Sequence, residues 1–196
     1  MQGNIVIKKR FFNPIYLNYP TENGNINLLD HYTTRTIVLY CGAGSGKSRF
    51  GVQRTVLKAM RYSNRKILVV RKVTSTIRDS IFAEFKGVLS QYKILPYCKV
   101  TETNFTITLP NGSTFIFKGM DDPEKIKSIS GIDDIVREEA TELTLDDFSQ
   151  LNLRLRSRKP YNQILLMYNP VSKANWVYYI KRSVHYEYIS PCLHIR

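Results

Sequence analysis

The chain has little cysteine, no long apolar run and few acids outside one segment, and each shortage excludes a class of protein. Its 196 residues include three cysteines, Cys41, Cys98 and Cys192, whose number and spacing indicate neither a disulfide framework nor a zinc site. No apolar stretch approaches the length of a membrane span, and the N-terminus lacks the apolar core of a signal peptide. We therefore expect one globular domain in a reducing cytoplasm.

Acidic residues are scarce in the first half of the chain. The formal net charge is +13; residues 1–110 contain 17 Lys or Arg against 5 Asp or Glu, whereas residues 111–196 contain 12 against 11. Ten of those 11 acids lie between Asp121 and Asp147. The basic half is a candidate surface for a polyanion such as DNA, although a solvated basic surface without a partner would have the same composition.

A glycine-rich stretch follows the apolar run Ile37–Leu39 and precedes a helical pattern. A strand, a glycine-rich loop and a helix that begins Lys-Ser are the elements of a phosphate-binding P-loop. The motif is nearly complete, since Cys41 stands where its first glycine is expected. We expect Lys47 to reach the β- and γ-phosphates and Ser48 to bind Mg²⁺. The predicted nucleotide-binding residues are Gly42, Ala43, Gly44, Ser45, Gly46, Lys47 and Ser48.

The rest of the chain alternates between strand and helix patterns. Apolar spacing predicts helices at 47–62, 74–92 and 144–156, buried strands at 66–71 and 163–168, and a hairpin of 100–108 with 114–117. This order predicts an α/β sandwich around a mainly parallel sheet, with the antiparallel hairpin at one edge.

Two carboxylates follow a short strand pattern at Ile132–Arg137. A P-loop hydrolase needs one acid for the metal and one for the attacking water, so we assign Glu138 to Mg²⁺ and Glu139 to the water. The alternatives are the pair Asp133-Asp134 and a purely structural role as helix N-terminal charge. Arg137 interrupts a run that should be apolar.

Two further groups of polar residues suggest site functions. Asn169 ends the last apolar strand and is well placed to sense the γ-phosphate. Arg154 and Arg156 end the helix that Thr144 caps. They could act as an arginine finger, contact DNA phosphates, or provide favourable charge at a helix C-terminus.

Seven stretches, taken in order, resemble the N-terminal ATPase half of the large terminase subunit of tailed bacteriophages: Gly42–Ser48, Arg71-Lys72, Arg78–Ser80, Lys118–Ser128, Glu138–Glu142, Arg154–Arg156 and Tyr168–Pro170. The resemblance spans about residues 34 to 180. It implies an ASCE-type P-loop NTPase, a three-layer sandwich, in a single ATPase domain of residues 1–196. Residues 1–33 would be an N-terminal extension, 34–180 the core, and 181–196 a segment leading to a nuclease domain that is absent from this chain, since Glu187 is the only acid after Asp147.

The resemblance also implies a function. It implies an ATP-hydrolysing motor, dependent on ATP and Mg²⁺, that drives double-stranded DNA into a viral procapsid in the host cytoplasm. The implied partners are the portal protein, the small terminase subunit and further copies in a ring, without a membrane. The family often has an arginine where this chain has Ala43, so either the missing charge comes from Arg154, Arg156 or a neighbouring subunit, or hydrolysis is weak. Two alternatives are a nucleotide-binding assembly module without independent hydrolysis and a small-molecule kinase.

Overall fold

The computed structural model describes residues 7–21, 24–121, 123–169, 175–177 and 186–189. Its strands are β1 (Tyr19–Thr21), β2 (Gly24–Ile26), β3 (Thr36–Tyr40), β4 (Lys66–Arg71), β5 (Lys99–Thr101), β6 (Thr106–Thr108), β7 (Thr114–Gly119), β8 (Asp134–Arg137), β9 (Gln163–Tyr168) and β10 (Tyr186–Ile189). Its α-helices are α1 (Pro14–Leu17), α2 (Lys47–Arg61), α3 (Ala83–Gln91), α4 (Pro123–Lys127) and α5 (Leu145–Arg154). Short 3-10 turns occupy Lys9–Phe11, Thr74–Thr76, Leu95–Tyr97 and Ala140–Glu142, and a π-helical turn occupies Arg78–Phe82.

Eight strands form one sheet in the order β10-β3-β9-β8-β4-β7-β6-β5. The pairs from β10 to β7 are parallel, and β7, β6 and β5 pair antiparallel at the edge. The predicted fold class, a mainly parallel sheet with an antiparallel edge hairpin, is therefore confirmed. The parallel strands β4 and β9 have the bounds that their apolar runs predicted, as expected for strands buried on both faces.

Successive residues of each central strand enter opposite apolar cores. In β3, Ile37 and Leu39 pack in the core that contains α2 and α3, whereas Val38 packs in the core that contains α5. Because side chains alternate between the faces of a strand, the middle residues of these central strands are apolar on both faces. The result is the three-layer sandwich, helix, sheet and helix.

The predicted helix at 74–92 is not continuous. A 3-10 turn and the π-helical turn precede α3, and the backbone of Ser80 is non-helical, at φ −114° and ψ −106°. The amide and hydroxyl of Thr74 both donate to Asp121, and the Ser80 hydroxyl donates to the Thr76 carbonyl. These side chains compete for the backbone groups that a regular helix would use, so the prediction of a regular helix was wrong before Ala83.

The predicted strand at 100–108 is likewise two strands, β5 and β6, which pair with each other. Its polar centre turns, and Phe105 adopts a left-handed φ of 48°. The predicted hairpin between 108 and 114 is confirmed, because Thr108 pairs with Thr114. The edge of the sheet therefore has one more strand than the sequence pattern indicated.

The first and last described segments both pack on the domain that contains the eight-stranded sheet. Tyr16 and Leu28 are buried in the core against α2, and β10 pairs parallel with β3 at the sheet edge. Cys98 is a half-buried free thiol. Within the described ranges, no helix combines the length and apolar character needed to cross a membrane.

Candidate functional site

The glycine-rich loop connects the end of β3 to the start of α2. Gly44 and Gly46 have φ values of 77° and 78°, which other residues rarely adopt. Gly46 occupies the N-cap position of α2, and its carbonyl accepts from Phe50. A loop of this conformation before a helix N-terminus presents several backbone N–H groups to one anion.

Lys47 begins α2 and is only 8% exposed. Its ammonium donates to the Asn169 side-chain oxygen, and it lies 3.5 Å from the Gly42 carbonyl oxygen. Burial lowers the pKa of Lys47, while Glu138 and Glu139 raise it. Asn169 directly follows β9, whose last residue pairs with the last residue of β3. The structure therefore brings Asn169 to the loop, where its sequence position predicted it.

Glu138 and Glu139 follow β8 at the same edge of the sheet. The Ser48 hydroxyl lies near the Glu138 carboxylate. Burial raises the pKa of Glu138, an effect that Arg71 and the Ser48 hydroxyl oppose and Glu139 strengthens. Glu139 has left-handed backbone angles, φ 53° and ψ 51°, which are uncommon for a residue other than glycine and recur at functional sites.

Arg71, the last residue of β4, lies between the two carboxylates. Its guanidinium forms an ion pair with Glu139, and its Nε lies 3.6 Å from Glu138 Oε2. We did not predict Arg71 as a site residue. Two signals were available: Arg71 is among the residues that carry the family resemblance, and it stands at the carboxyl end of a buried parallel strand, where ligand-binding side chains collect in α/β folds.

Arg137 supports the turn that carries the two acids. It is fully buried, and its guanidinium donates to the Val70 carbonyl at 2.9 Å and to the Glu139 carbonyl at 3.3 Å. It also pairs with Glu142 at 3.5 Å. Burial lowers the pKa of Arg137 to about 10. The residue that interrupts the apolar pattern of β8 therefore fastens the backbone of Glu139 to β4.

The residues present fit a Mg²⁺ ion next to a bound triphosphate. Mg²⁺ prefers oxygen ligands, and it usually takes one or two from the protein and the rest from phosphates and water. Ser48 and Glu138 offer two adjacent oxygens, and Glu138 Oε2 is buried without a hydrogen-bond partner. In the described part of the chain, no three His, Cys, Asp or Glu residues form a metal-binding group of their own.

The alternative acid pair, Asp133-Asp134, lies at the amino end of β8, away from the loop. Asp133 accepts from the Lys66 amide at 2.7 Å and pairs with Lys159 at 3.0 Å. Asp134 is buried and accepts from Lys58 and Arg65, each at 2.7 Å. These carboxylates are occupied in structural contacts, so the geometry favours Glu138 and Glu139.

The structure does not bring Arg154 and Arg156 to the loop. Arg154 ends α5 and donates to the Lys127 carbonyl at 3.2 Å. Arg35, which precedes β3, contacts Asn152 and the Leu155 carbonyl. The end of α5 therefore lies at the amino ends of the strands, a strand length of about 17 Å from the loop edge. From there these arginines can reach a nucleotide only on another copy of the chain.

The strand, glycine-rich loop and Lys-Ser helix, set in a mainly parallel sheet covered by helices, define a P-loop NTPase fold. Comparison with known families then identifies the family. The chain belongs to the phage terminase large subunit family, whose model matches residues 33–188.

The chain is similar to curated and solved members of that family. It is 36% identical over 137 residues to the PBSX phage terminase large subunit of Bacillus subtilis strain 168, a match that covers 70% of this chain and 31% of that protein. The large terminase of a thermophilic bacteriophage superimposes with a TM-score of 0.68 at 13% identity, covering 83% of this chain and 41% of that one. The ATPase domain of the Thermus phage P74-26 large terminase gives 0.64 at 15% identity, covering 83% and 77%.

These comparisons establish the family and the fold. The chain spans about a third of the curated relative's length, and it covers most of the isolated ATPase domain. The large terminase of the same thermophilic bacteriophage has also been solved in complex with ATP-gamma-S and with ADP.

Proposed function

We propose that this chain is an ATP-hydrolysing motor domain that drives double-stranded DNA into a viral procapsid. The observation that carries the proposal is the convergence of Lys47, Ser48, Glu138, Glu139 and Asn169 at one sheet edge, around a glycine-rich loop. A lysine, a hydroxyl, two acids and a polar sensor are the groups that hydrolysis of a nucleoside triphosphate requires. The nucleotide complexes of the thermophilic phage terminase support a nucleotide as the ligand.

Each side chain has a distinct role in the proposed reaction. Backbone N–H groups of residues 42–46 and the Lys47 ammonium hold the β- and γ-phosphates. Ser48 and Glu138 hold Mg²⁺, which neutralises phosphate charge. Glu139 accepts a proton from the attacking water as the water oxygen bonds to the γ-phosphorus. The bond from that phosphorus to the β–γ bridging oxygen breaks, and its electron pair leaves with ADP.

Asn169 links the nucleotide to the rest of the fold. It contacts Lys47 in the free chain and follows β9, beyond which the described residues Asn175 and Trp176 donate to the Thr141 and Leu143 carbonyls. These contacts lie just after the Glu138-Glu139 turn. A γ-phosphate that binds Lys47 would break the contact between Lys47 and Asn169. We assign the coupling of hydrolysis to movement to Asn169 and to the described residues 175–177, which contact the backbone just after the Glu138-Glu139 turn.

The test of the proposed function is phosphate release from Mg-ATP by the purified chain. We expect equal amounts of phosphate and ADP, and faster release with double-stranded DNA than with single-stranded DNA of equal nucleotide concentration. Turnover without any response to DNA would contradict the motor and leave an ATPase of another kind. No turnover under either condition, with ATP bound, would favour the nucleotide-binding assembly module. The Arg71–Glu139 ion pair of the free chain is compatible with that alternative, because it engages the acid that would activate water.

The partners follow from this proposal and from the charge distribution. Three exposed or half-buried arginines, which we call the basic face, lie at the end of α5 and just after it: Arg154, Arg156 and Arg158. We assign this face to DNA phosphates or to the nucleotide of a neighbouring copy in a ring. The portal protein and the small terminase subunit complete the proposed assembly, in the host cytoplasm.

Neutralising two arginines of this basic face should weaken DNA binding mainly at low salt. In Arg156→Gln/Arg158→Gln, we expect the slope of log affinity against log salt to fall by about 2, because each lost phosphate contact removes about 0.9. Lys93→Gln/Lys99→Gln, on the opposite part of the sheet near β5, removes the same charge and should leave the slope within about 0.5 of the original. The measurement is fluorescence anisotropy of a DNA duplex titrated at several salt concentrations, and equal effects of the two double variants would exclude this face.

A further inference from the structure

Arg137, the last residue of β8, is buried in the apolar core on the α5 side of the sheet. Ile135, two residues earlier on the same face, belongs to that core, and the Arg137 side chain is 0% exposed. Among the described residues its ion-pair partner is Glu142, which lies 3.5 Å away and is 44% exposed, and Arg137 Nε has no hydrogen-bond partner. A buried guanidinium stabilises a fold only when its ion pairs are close and complete. Arg137 therefore contributes little to the stability of the domain.

The hydrogen bonds of Arg137 go to two backbone carbonyls at the carboxyl edge of the sheet. One carbonyl belongs to Val70, its partner in the parallel ladder of β4 and β8, at 2.9 Å, and the other to Glu139 at 3.3 Å. The guanidinium thus connects the end of β4 to the turn that follows β8. Because β4 is an inner strand of the sheet, this contact attaches the turn to a rigid part of the fold.

The backbone of Glu139 needs such an attachment. Its φ of 53° and ψ of 51° lie in the left-handed region, which is unfavourable for a residue with a β-carbon and persists only where the surroundings hold it. The Glu139 carbonyl accepts from Arg137 and, at 3.0 Å, from the Glu142 amide. The amide bond closes a local 3-10 turn, whereas the guanidinium also holds β4. The direction in which the Glu139 carboxylate leaves the turn therefore depends on Arg137.

We propose that Arg137 is a positioning residue that sets the catalytic geometry of Glu139 without touching the nucleotide. It holds the Glu139 peptide in its left-handed conformation and so directs the carboxylate toward the attacking water. A general base must lie within hydrogen-bond reach of the proton it accepts, and a misplacement of about 1 Å can cost about 10²-fold in rate. The inference rests on the proposed hydrolysis and adds to it a residue outside the P-loop and the two acids.

Arg137→Met removes both hydrogen bonds and keeps an unbranched side chain in the core. Glu142 is exposed enough for water to solvate it, and apolar replacement of a buried charge is often neutral or stabilising. We therefore expect the urea midpoint of unfolding to stay close to that of the wild type. We expect kcat to fall by about a hundredfold, whereas KM and the affinity for ATP-gamma-S should stay within about twofold, since the loop binds the phosphates without Arg137.

Arg65→Met is the matched control, because Arg65 is a second fully buried arginine but lies at the amino end of the sheet. It is 1% exposed, pairs with the buried Asp134 carboxylate at 2.7 Å and donates to the Pro160 carbonyl at 3.0 Å. Arg65→Met deprives a buried carboxylate of one of its cations, so the urea midpoint should fall. Its kcat should stay within about twofold of the wild type, because these contacts do not reach the nucleotide site.

Two further variants separate positioning from a general disturbance of the site. The ammonium of Arg137→Lys lacks the fork that reaches two carbonyls, so its kcat should lie between the values for the wild type and Arg137→Met. Residues that act as a unit have non-additive effects on rate. Because Arg137 acts through Glu139, Arg137→Met/Glu139→Gln should release phosphate no more slowly than Glu139→Gln alone.

The outcomes distinguish this inference from the proposed function. If the wild type hydrolyses ATP and Arg137→Met keeps its kcat, hydrolysis stands and the role of Arg137 is wrong. A further loss of rate in the double variant would also contradict that role. If Arg137→Met is as destabilised as Arg65→Met, the comparison passes to Arg137→Lys, in which an unchanged kcat would exclude positioning. If the wild type does not hydrolyse ATP, the proposed function and the inference both fail.

Discussion

Glu139→Gln should abolish most turnover and retain the nucleotide. We expect kcat to fall by about 10³-fold, since a positioned general base contributes about 10²–10⁴-fold. Glutamine keeps the size of the side chain but cannot accept the proton of the attacking water. It also cannot form the ion pair with Arg71, so the affinity for ATP-gamma-S should equal or exceed that of the wild type. Phosphate release and calorimetric binding measure the two effects.

Lys47→Ala is the control variant for Glu139→Gln. Lys47 is buried and contacts Asn169 and the loop carbonyl of Gly42, so its removal should cost nucleotide binding as well as turnover. Binding kept in Glu139→Gln and lost in Lys47→Ala would separate the catalytic acid from the binding loop. Wild-type turnover in Glu139→Gln would transfer the role of base to another group, and unchanged binding in Lys47→Ala would contradict the assignment of the loop.

The fold could be predicted from sequence because its central strands carry a strong local signal. Ile67–Val70 of β4 and Ile164–Tyr168 of β9 are continuous apolar runs, and each of these residues packs in one of the two cores. The glycines of the loop indicate positive φ values, which Gly44 and Gly46 adopt. Such features depend on neighbours in the chain, so spacing alone reveals them.

Arg71 could not be assigned in this way, because its role depends on strand order. Its partners Glu138 and Glu139 are distant in sequence and meet it only since β4 lies beside β8 in the sheet. Arg137 is a similar case: within β8 it interrupts an apolar pattern, and its purpose is visible only when the Val70 and Glu139 carbonyls surround its guanidinium. The pairing of β4 with β8, which are distant in sequence, therefore determines the roles of Arg71 and Arg137.

The position of Arg154, by contrast, was open to prediction. A helix that follows a parallel strand runs back along the sheet, and ten residues of α5 rise about 15 Å. Its last residue must therefore lie near the amino ends of the strands, away from the loop. The expectation of an arginine finger rested on Arg154 being an arginine. The direction of α5 places Arg154 away from the nucleotide of its own chain.

Asp134→Asn should destabilise the fold more than any substitution at the nucleotide site. Asp134 accepts from Lys58 Nζ and Arg65 Nε at 2.7 Å each and from the Gln163 amide at 3.0 Å, and the two cations are 4% and 1% exposed. It thus joins α2, the start of β4 and the start of β9. In Asp134→Asn the two buried cations lose their anion, and we expect the free energy of unfolding to fall by about 3–5 kcal/mol.

Urea denaturation of Asp134→Asn beside Glu102→Gln tests this expectation. Glu102 also pairs with two cations, Arg78 and Lys86, at 3.2 and 2.8 Å, but its side chain is 51% exposed. Solvent screens such pairs, so the control should lose much less stability than Asp134→Asn. Equal losses in the two variants would show that burial of the Asp134 pairs adds nothing.

The pH dependence identifies the cause of the loss. Burial lowers the pKa of Lys58 to about 8 in the folded chain, from 10.5, and Asp134 opposes this decrease. Between these two pKa values the unfolded chain binds more protons, so this group makes the wild type more stable as the pH rises through that window. In Asp134→Asn the pKa of Lys58 should fall further, so the folded variant releases the proton at lower pH. The difference in unfolding free energy should therefore be smaller at about pH 9.5 than at about pH 7, whereas a loss from packing alone would be the same at both.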